Sequence, residues 1–255
     1  MGLNEQIATA IQELKDSDIV GCISGSAMTN QDFETWASVP DVDLFVYEKT
    51  QMIYAADLLM MKLGYEPAHK REAWKLDRMR RGYDAARKGT QWKVSTLKFV
   101  RDGLVVNVTW KPGCDKLTNV LSSFDMSIIM IGYDIDKKVG LDLRCGWEGM
   151  VFDDDNHKWS DSPMVAVPNP LRSQKFELYE VAMWVRQFDR VIKYWDRGFD
   201  TRPMAEFYIK AISEVIDAGS LFETEASIKA YEGFVSEFEP VREKMVTWLK
   251  DKEDC

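Results

Sequence analysis

Histidine is nearly absent from this chain, with His69 and His157 alone in 255 residues, and there is no HExxH pair. Most histidine-rich metallohydrolase schemes fail for want of ligands. The four cysteines, Cys22, Cys114, Cys145 and Cys255, lie far apart and form no CxxC pair. A structural zinc site or a disulfide framework is not expected, and reduced thiols point to a cytoplasmic setting, the host cytoplasm if the source is viral. No apolar run approaches the ~18 residues needed to span a bilayer, so no membrane association is expected. The first residues, MGLNEQIATAIQELKDSD, hold acids and amides where a secretory leader needs a basic segment followed by an apolar one. Gln6 stands where N-myristoylation requires Ser or Thr.

What is present is an ordinary globular balance, 45% hydrophobic and 29% charged, in a chain long enough for one large domain or two small ones. The net charge of −9 is unevenly spread. Between His69 and Arg101 eleven Lys and Arg face three acids, so that segment carries +8 and the remainder −17. One concentrated basic stretch in an acidic protein suggests a local anion site more than a general nucleic-acid coat.

Hydrophobic periodicity predicts helices over residues 4–16, 29–37, 51–63, 70–87 and 115–123. Strands are expected at Ile19–Ile23, Val42–Tyr47, Trp92–Val100, Leu104–Trp110, Met126–Tyr133 and Gly140–Cys145, with Asp102-Gly103 as a hairpin turn. After Pro168-Asn169-Pro170 the texture changes. Phe188, Val191 and Trp195, then Phe207 and Ile212, then Phe238, Val241, Met245 and Trp248 recur at helical spacing, and Pro240 predicts a kink. The expected class is therefore α+β (α/β mixed), a mixed sheet flanked by helices over residues 1–168 and a C-terminal helical layer or bundle over 169–255. The aromatic stripes of those last helices read as packing.

The chemistry concentrates early. An apolar strand runs into Ser24-Gly25-Ser26, where a residue without Cβ lets backbone N–H groups approach a phosphate. The next strand opens with Asp41-Val42-Asp43, and residues two apart in a strand share a face, so both carboxylates aim at one point. Two such carboxylates repel unless a hard cation lies between them, which suits Mg²⁺ (or Mn²⁺) bridging an NTP. A DxD alone is more often a solvated strand end, but the preceding Gly-Ser turn strengthens the pairing.

The order Gly25-Ser26, Trp36, Asp41-Val42-Asp43 resembles the signature of the polymerase-β-like nucleotidyltransferase superfamily, in particular phage, giant-virus and fungal relatives. The resemblance extends to Leu63-Gly64-Tyr65, to Val105–Thr109 and to Ser123-Phe124-Asp125-Met126, covering roughly residues 19–135. It implies that Asp41 and Asp43 hold the metal, that Ser24, Gly25 and Ser26 bind the triphosphate, and that an NMP moves to an acceptor hydroxyl. The acceptor is left open among RNA, protein and small molecule. Active members commonly supply a third carboxylate from a neighbouring strand, where this sequence has Asn107. Either Asp125 completes the catalytic set or the chemistry is impaired, leaving a nucleotide- or partner-binding module.

Nucleic acid is a further expected partner through residues 70–101, where Lys70, Arg71, Lys75, Arg78, Arg80 and Arg81 are interleaved with Trp74, Tyr83 and Trp92. A solvated helix face explains the same charges equally well. Asp153-Asp154-Asp155-Asn156-His157 reads as a surface loop rather than a chelating cluster.

Overall fold

The computed structural model describes residues 3–31, 41–82, 94–146, 161–169, 181–217 and 225–253. It is a mixed α+β protein that divides into two compact units, Met1–Met150 and Val151–Cys255. The division falls earlier than the expected boundary at residue 168. Backbone hydrogen bonds explain it: Ala166 N–H donates to Asp200 at 2.8 Å and Asp200 N–H to Met164 at 2.9 Å, which ties residues 164–166 to the second unit.

The first unit is built on seven strands: β1 (Gly21–Ser24), β2 (Asp41–Val46), β3 (Glu66–Pro67), β4 (Ser95–Arg101), β5 (Leu104–Trp110), β6 (Ile131–Asp134) and β7 (Val139–Asp142). They lie in the order β3-β4-β5-β2-β1-β6-β7. Only β2 and β5 run parallel, Asp43 standing opposite Asn107, and the other neighbours are antiparallel. The β4–β5 hairpin turns at Asp102-Gly103 as expected, both residues having positive φ.

Helices α1 (Leu3–Lys15), α2 (Ser26–Gln31), α3 (Gln51–Met61), α4 (Lys70–Arg80) and α5 (Leu117–Ser122) complete this unit. Strand alternation sorts the two faces of the sheet. Val42, Leu44 and Val46 of β2, Leu97 and Phe99 of β4, and Val106 and Val108 of β5 are buried with Ile7, Ile11 and Leu14 of α1, Ala55 and Leu59 of α3, and Leu76 of α4. Burying each of the larger of these side chains contributes about 1.5–3 kcal/mol, so this face is a major source of the unit's cohesion. Asp41, Asp43 and Phe45, half-buried, point the other way.

Several elements differ from expectation. The short helix begins at Ser26 rather than Thr29, because the Gly25 carbonyl accepts from Met28 and Thr29 N–H at 3.1 and 3.2 Å and closes the first turn there. Met126–Tyr133 is not one strand: Ser127–Ile129 form a 3-10 turn and pairing starts at Ile131. The run is apolar because residues 126–130 are buried, not because they are extended. The two-residue β3 carries no sequence signal. Trp36, Tyr83, Trp92 and residues 153–157 lie outside the described residues.

The second unit holds α6 (Val181–Trp195), α7 (Arg202–Asp217) and α8 (Glu225–Glu253), which contact one another. Phe188, Val191, Tyr208, Ile212, Phe238 and Met245 are buried, and Trp248 meets Phe188 and Trp195 edge-on at 6.0 and 5.6 Å. The aromatic stripes are packing, as their spacing predicts. Pro240 lies inside α8, which remains helical on both sides of it.

Candidate functional site

The acidic pair sits where β2 begins, between β1 and β5. Antiparallel pairing sets Ser24 opposite Asp43, and parallel pairing sets Asn107 opposite Asp43 on the far side. Pairing of β5 with β4 then sets Lys98 opposite Asn107. Directly opposed residues point to the same face, so Ser24, Asp43, Asn107 and Lys98 form a row across four strands. The 3.1 Å hydrogen bond between the Thr96 and Thr109 hydroxyls, on the next pair of the same face, confirms the register.

Asp41 and Asp43 do share a face, as the sequence pattern predicts, and one residue holds both. The Asn107 amide nitrogen donates to Oδ2 of Asp41 and to Oδ1 of Asp43, each at 3.0 Å. Asn107 is only 7% exposed, and its side-chain oxygen is buried without a hydrogen-bond partner. The amide thus separates two anionic groups that would otherwise repel, at the cost of an unmet acceptor worth roughly 1–3 kcal/mol.

Gly25 abuts the pair. Its φ is +86°, in the left-handed region that glycine tolerates. A Cβ added there would lie 2.9 Å from Oδ2 of Asp43. The turn after β1 therefore approaches the second acid at a distance open only to a residue without a side chain.

The other predicted site residues are buried in the fold. Ser24 is fully buried, and its hydroxyl donates to the Ile131 carbonyl at 2.7 Å across the β1–β6 seam. Ser26 is also buried, as the first residue of α2. Asp125 is buried beside Phe124, whose ring meets Phe45 edge-on at 5.7 Å. Among the described residues no three His, Cys, Asp or Glu side chains form a metal-holding group, and the β5 position opposite Asp43 holds Asn107.

Part of the basic segment is neutralised within the chain. Lys75 pairs with Glu72 at 3.0 Å, Arg80 with Asp57, and Arg81 with Asp77 at 2.8 Å. Arg101 pairs with Glu13 at 2.7 Å, a hydrogen bond that holds its guanidinium above the usual range. Arg78 lies 4.7 Å over the ring of Trp74, which is 57% exposed. Because Leu76 and Met79 of α4 join the core packed on Val42 and Leu44, this helix covers the face of the sheet opposite the acids. Charges on α4 do not face the acidic pair.

Lys98 does share their face. Sequence reasoning places it in the basic run without distinguishing it, since its relation to Asp43 exists only through two inter-strand registers. Two strand spacings put its Cα about 10 Å from that of Asp43. The side chain is exposed, and its ammonium makes no ion pair among the described residues.

The donor set fits a hard divalent cation. Two carboxylates on one face are oxygen ligands of the kind that Mg²⁺ or Mn²⁺ takes. No helix among the described residues is long and apolar enough to cross a membrane. No family model matches the chain, and no curated protein or solved structure does so either.

Proposed function

We propose that the chain is a metal-dependent nucleotidyltransferase that moves an NMP from an NTP to an acceptor hydroxyl and releases pyrophosphate. The observation that carries this reading is the close fit of Gly25 against the Asp41/Asp43 face, 2.9 Å between a would-be Cβ and the Asp43 carboxylate. A side-chain-free turn beside paired acids is what a site needs if it is to accept a polyphosphate and a cation together.

In this reading Asp41 and Asp43 would hold Mg²⁺ or Mn²⁺, which would supply charge compensation for the triphosphate. The Gly25-Ser26 backbone lies on the β1 side of the acids and receives the triphosphate tail there. Asn107, Thr109 and Lys98 lie on the β5–β4 side, where the acceptor enters. Its hydroxyl oxygen bonds to the α-phosphorus as the bond to pyrophosphate breaks, in line, and the hydroxyl proton departs. Asn107 has no atom that takes up that proton; the carboxylates 3.0 Å from its amide do. Positioning and charge compensation supply most of such a reaction, which explains how few protein groups it requires.

A second reading rests on Asn107. A neutral residue stands where a third carboxylate is expected, and it is bonded to both remaining acids. That arrangement also suits a nucleotide- or partner-binding module that has lost turnover.

Titration of the protein with Mg²⁺ and each NTP, followed by calorimetry and by pyrophosphate release with RNA, protein and small-molecule acceptors, separates the two. Metal-dependent NTP binding and pyrophosphate release, both lost in Asp41→Ala/Asp43→Ala, is the expected result. Binding without release under any acceptor supports the binding module. Absence of metal-dependent binding overturns the enzyme and the nucleotide-binding module, leaving only a module for another partner.

A further inference from the structure

The two edges of the sheet are finished differently. In an antiparallel ladder alternate residues turn their backbone groups towards the neighbouring strand and away from it. At the β3 edge Ala68 N–H donates to the Lys98 carbonyl at 2.9 Å, so Pro67 is the residue that turns outward. It has no N–H to offer there, and proline is one of the devices that close a sheet edge. At the β7 edge Leu143 N–H donates to the Met130 carbonyl at 2.8 Å, so Leu141 and Val139 also bond towards β6. Gly140 and Asp142 therefore direct their N–H and C=O groups away from the sheet. Among the described residues those groups take no hydrogen bond.

The β7 edge is also open. Val139 is 49% exposed, and Gly140 and Asp142 are exposed. Gly140 brings no side chain, and a Cβ built on it would meet its nearest atom, the Gly132 carbonyl oxygen, only at 3.9 Å. The Asp142 carboxylate is engaged by Arg144, which reaches it through Nη2 at 2.6 Å and through its backbone N–H at 3.0 Å.

We infer that β7 is a docking edge for a second copy of this chain, the two β7 strands pairing antiparallel about a twofold axis at Leu141. Gly140 of each copy then lies opposite Asp142 of the other, and each such pair exchanges two hydrogen bonds, which satisfies every outward group on both strands. The neighbouring registers do worse. An axis at Asp142 sets two like charges directly opposite each other. An axis at Gly140 sets Asp142 against Lys138, whose φ of +55° takes it out of the strand. Charge favours the Leu141 axis as well, because the Lys137-Lys138 turn of each copy comes diagonal to Asp142 of the other. Arg144 comes opposite Lys138, but Asp142 already neutralises it, and Lys138 Nζ donates to the Ser17 carbonyl at 3.2 Å. Leu141, half-buried, meets its own copy as an apolar cross-strand pair. So short a ladder covers less than a standard interface of about 1,600 Å², so the dimer is expected to form at roughly tens of micromolar. This inference is independent of the proposed activity.

Sedimentation equilibrium of the full chain from about 1 to about 300 µM is the test. The wild type should pass from monomer to dimer over that range. Gly140→Pro removes an outward N–H that β6 does not use, so the β6–β7 ladder survives while dimerisation weakens tenfold or more. Leu141→Lys and Leu141→Glu should each be monomeric alone, and an equimolar mixture of the two should regain the dimer, since only this register sets residue 141 against itself. Should these variants not fold, amide exchange in the wild type carries the test. The Gly140 and Asp142 amides must slow severalfold with rising concentration relative to that of Leu143, which is already bonded to Met130. A dimer unaffected by Gly140→Pro, or amides of Gly140 and Asp142 indifferent to concentration, places any interface elsewhere and overturns the inference. A chain that stays monomeric to about 300 µM overturns it too and leaves the edge to an extended segment of another protein.

Discussion

Gly25 and Asp43 fit together without room for a methyl group between them: a Cβ on residue 25 would stand 2.9 Å from the Asp43 carboxylate. The contact joins the end of β1 to the start of β2 at the pair where Ser24 faces Asp43. Backbone conformation and space demand glycine independently here, since the φ of +86° already disfavours any other residue.

Gly25→Ala is therefore expected to do more than strain the backbone. Gly64 has a similar φ of +71° but open space around its would-be Cβ, so Gly64→Ala isolates the conformational cost, about 1–2 kcal/mol. Chemical unfolding should show a loss of that size for Gly64→Ala with Mn²⁺ binding intact. Gly25→Ala should lose at least as much stability, and its Mn²⁺ affinity should fall tenfold or more because the Asp43 carboxylate must move aside. Equal metal affinity in the two variants would remove the close approach from the account of the site.

Lys98 should contribute to polyanion binding in a way the charges of α4 do not. It shares a face with Asp43, while Arg80 is paired with Asp57 on a helix that covers the other side. With a labelled single-stranded RNA, Lys98→Ala should weaken binding and reduce the slope of log K against log salt by about 0.7, one phosphate contact. Arg80→Ala should leave the slope unchanged. The reverse pattern would move the polyanion to α4 and away from the acids.

Tyr47 anchors a buried charge far from that chemistry. Its hydroxyl donates to Asp134 at 2.7 Å, and the other Asp134 oxygen accepts from Lys137 N–H at 2.9 Å. Burial pushes the phenol well above its ordinary range, with Cys22 and Asp134 adding to the shift, so it remains a donor at any working pH. Tyr47→Phe strips a partner from a buried carboxylate and is expected to cost about 1–3 kcal/mol in urea unfolding. Tyr54→Phe on the exposed side of α3 should stay within about 0.5 kcal/mol.

The parts of this architecture visible in the sequence are those set by local pattern. The alternation of Asp41-Val42-Asp43-Leu44-Phe45-Val46 announces a strand with both acids on one side, and β2 obeys it. Asp102-Gly103 announces its hairpin for the same reason. What the sequence conceals depends on pairing at a distance. Nothing local to Val105–Thr109 indicates that β5 runs parallel to β2, which alone puts Asn107 between the acids and Lys98 beyond it. That the Ser24 hydroxyl meets the Ile131 carbonyl likewise depends on β6, more than a hundred residues later. The basic run reads as one anion site because charge is counted along the chain. Folding separates it: Lys98 goes to the acid face, Leu76 carries α4 to the other, and Asp57, Asp77 and Glu13 arrive to pair with three of its arginines.

The second unit should show a pH dependence traceable to one carboxylate. Asp200 accepts from Arg202 at Nε (2.9 Å), Nη2 (2.7 Å) and its backbone N–H (3.1 Å). The Arg202 side-chain hydrogen bonds hold its carboxyl below the usual aspartate range, against a smaller opposing effect of burial. With a folded value below the unfolded one, the unfolded chain binds more protons as the pH falls between the two. The stabilisation is therefore complete above the ordinary aspartate value and drains away as acid approaches the depressed native value. Asp200→Asn removes that term. In urea unfolding followed by the fluorescence of the second unit's tryptophans, the variant should be the less stable protein at pH 7. Its stability should change less than the wild type's across the acid range, so the gap narrows as pH drops. A gap that stays constant from neutral to acid pH would mean that Asp200 acts there through packing alone and not through its charge on Arg202.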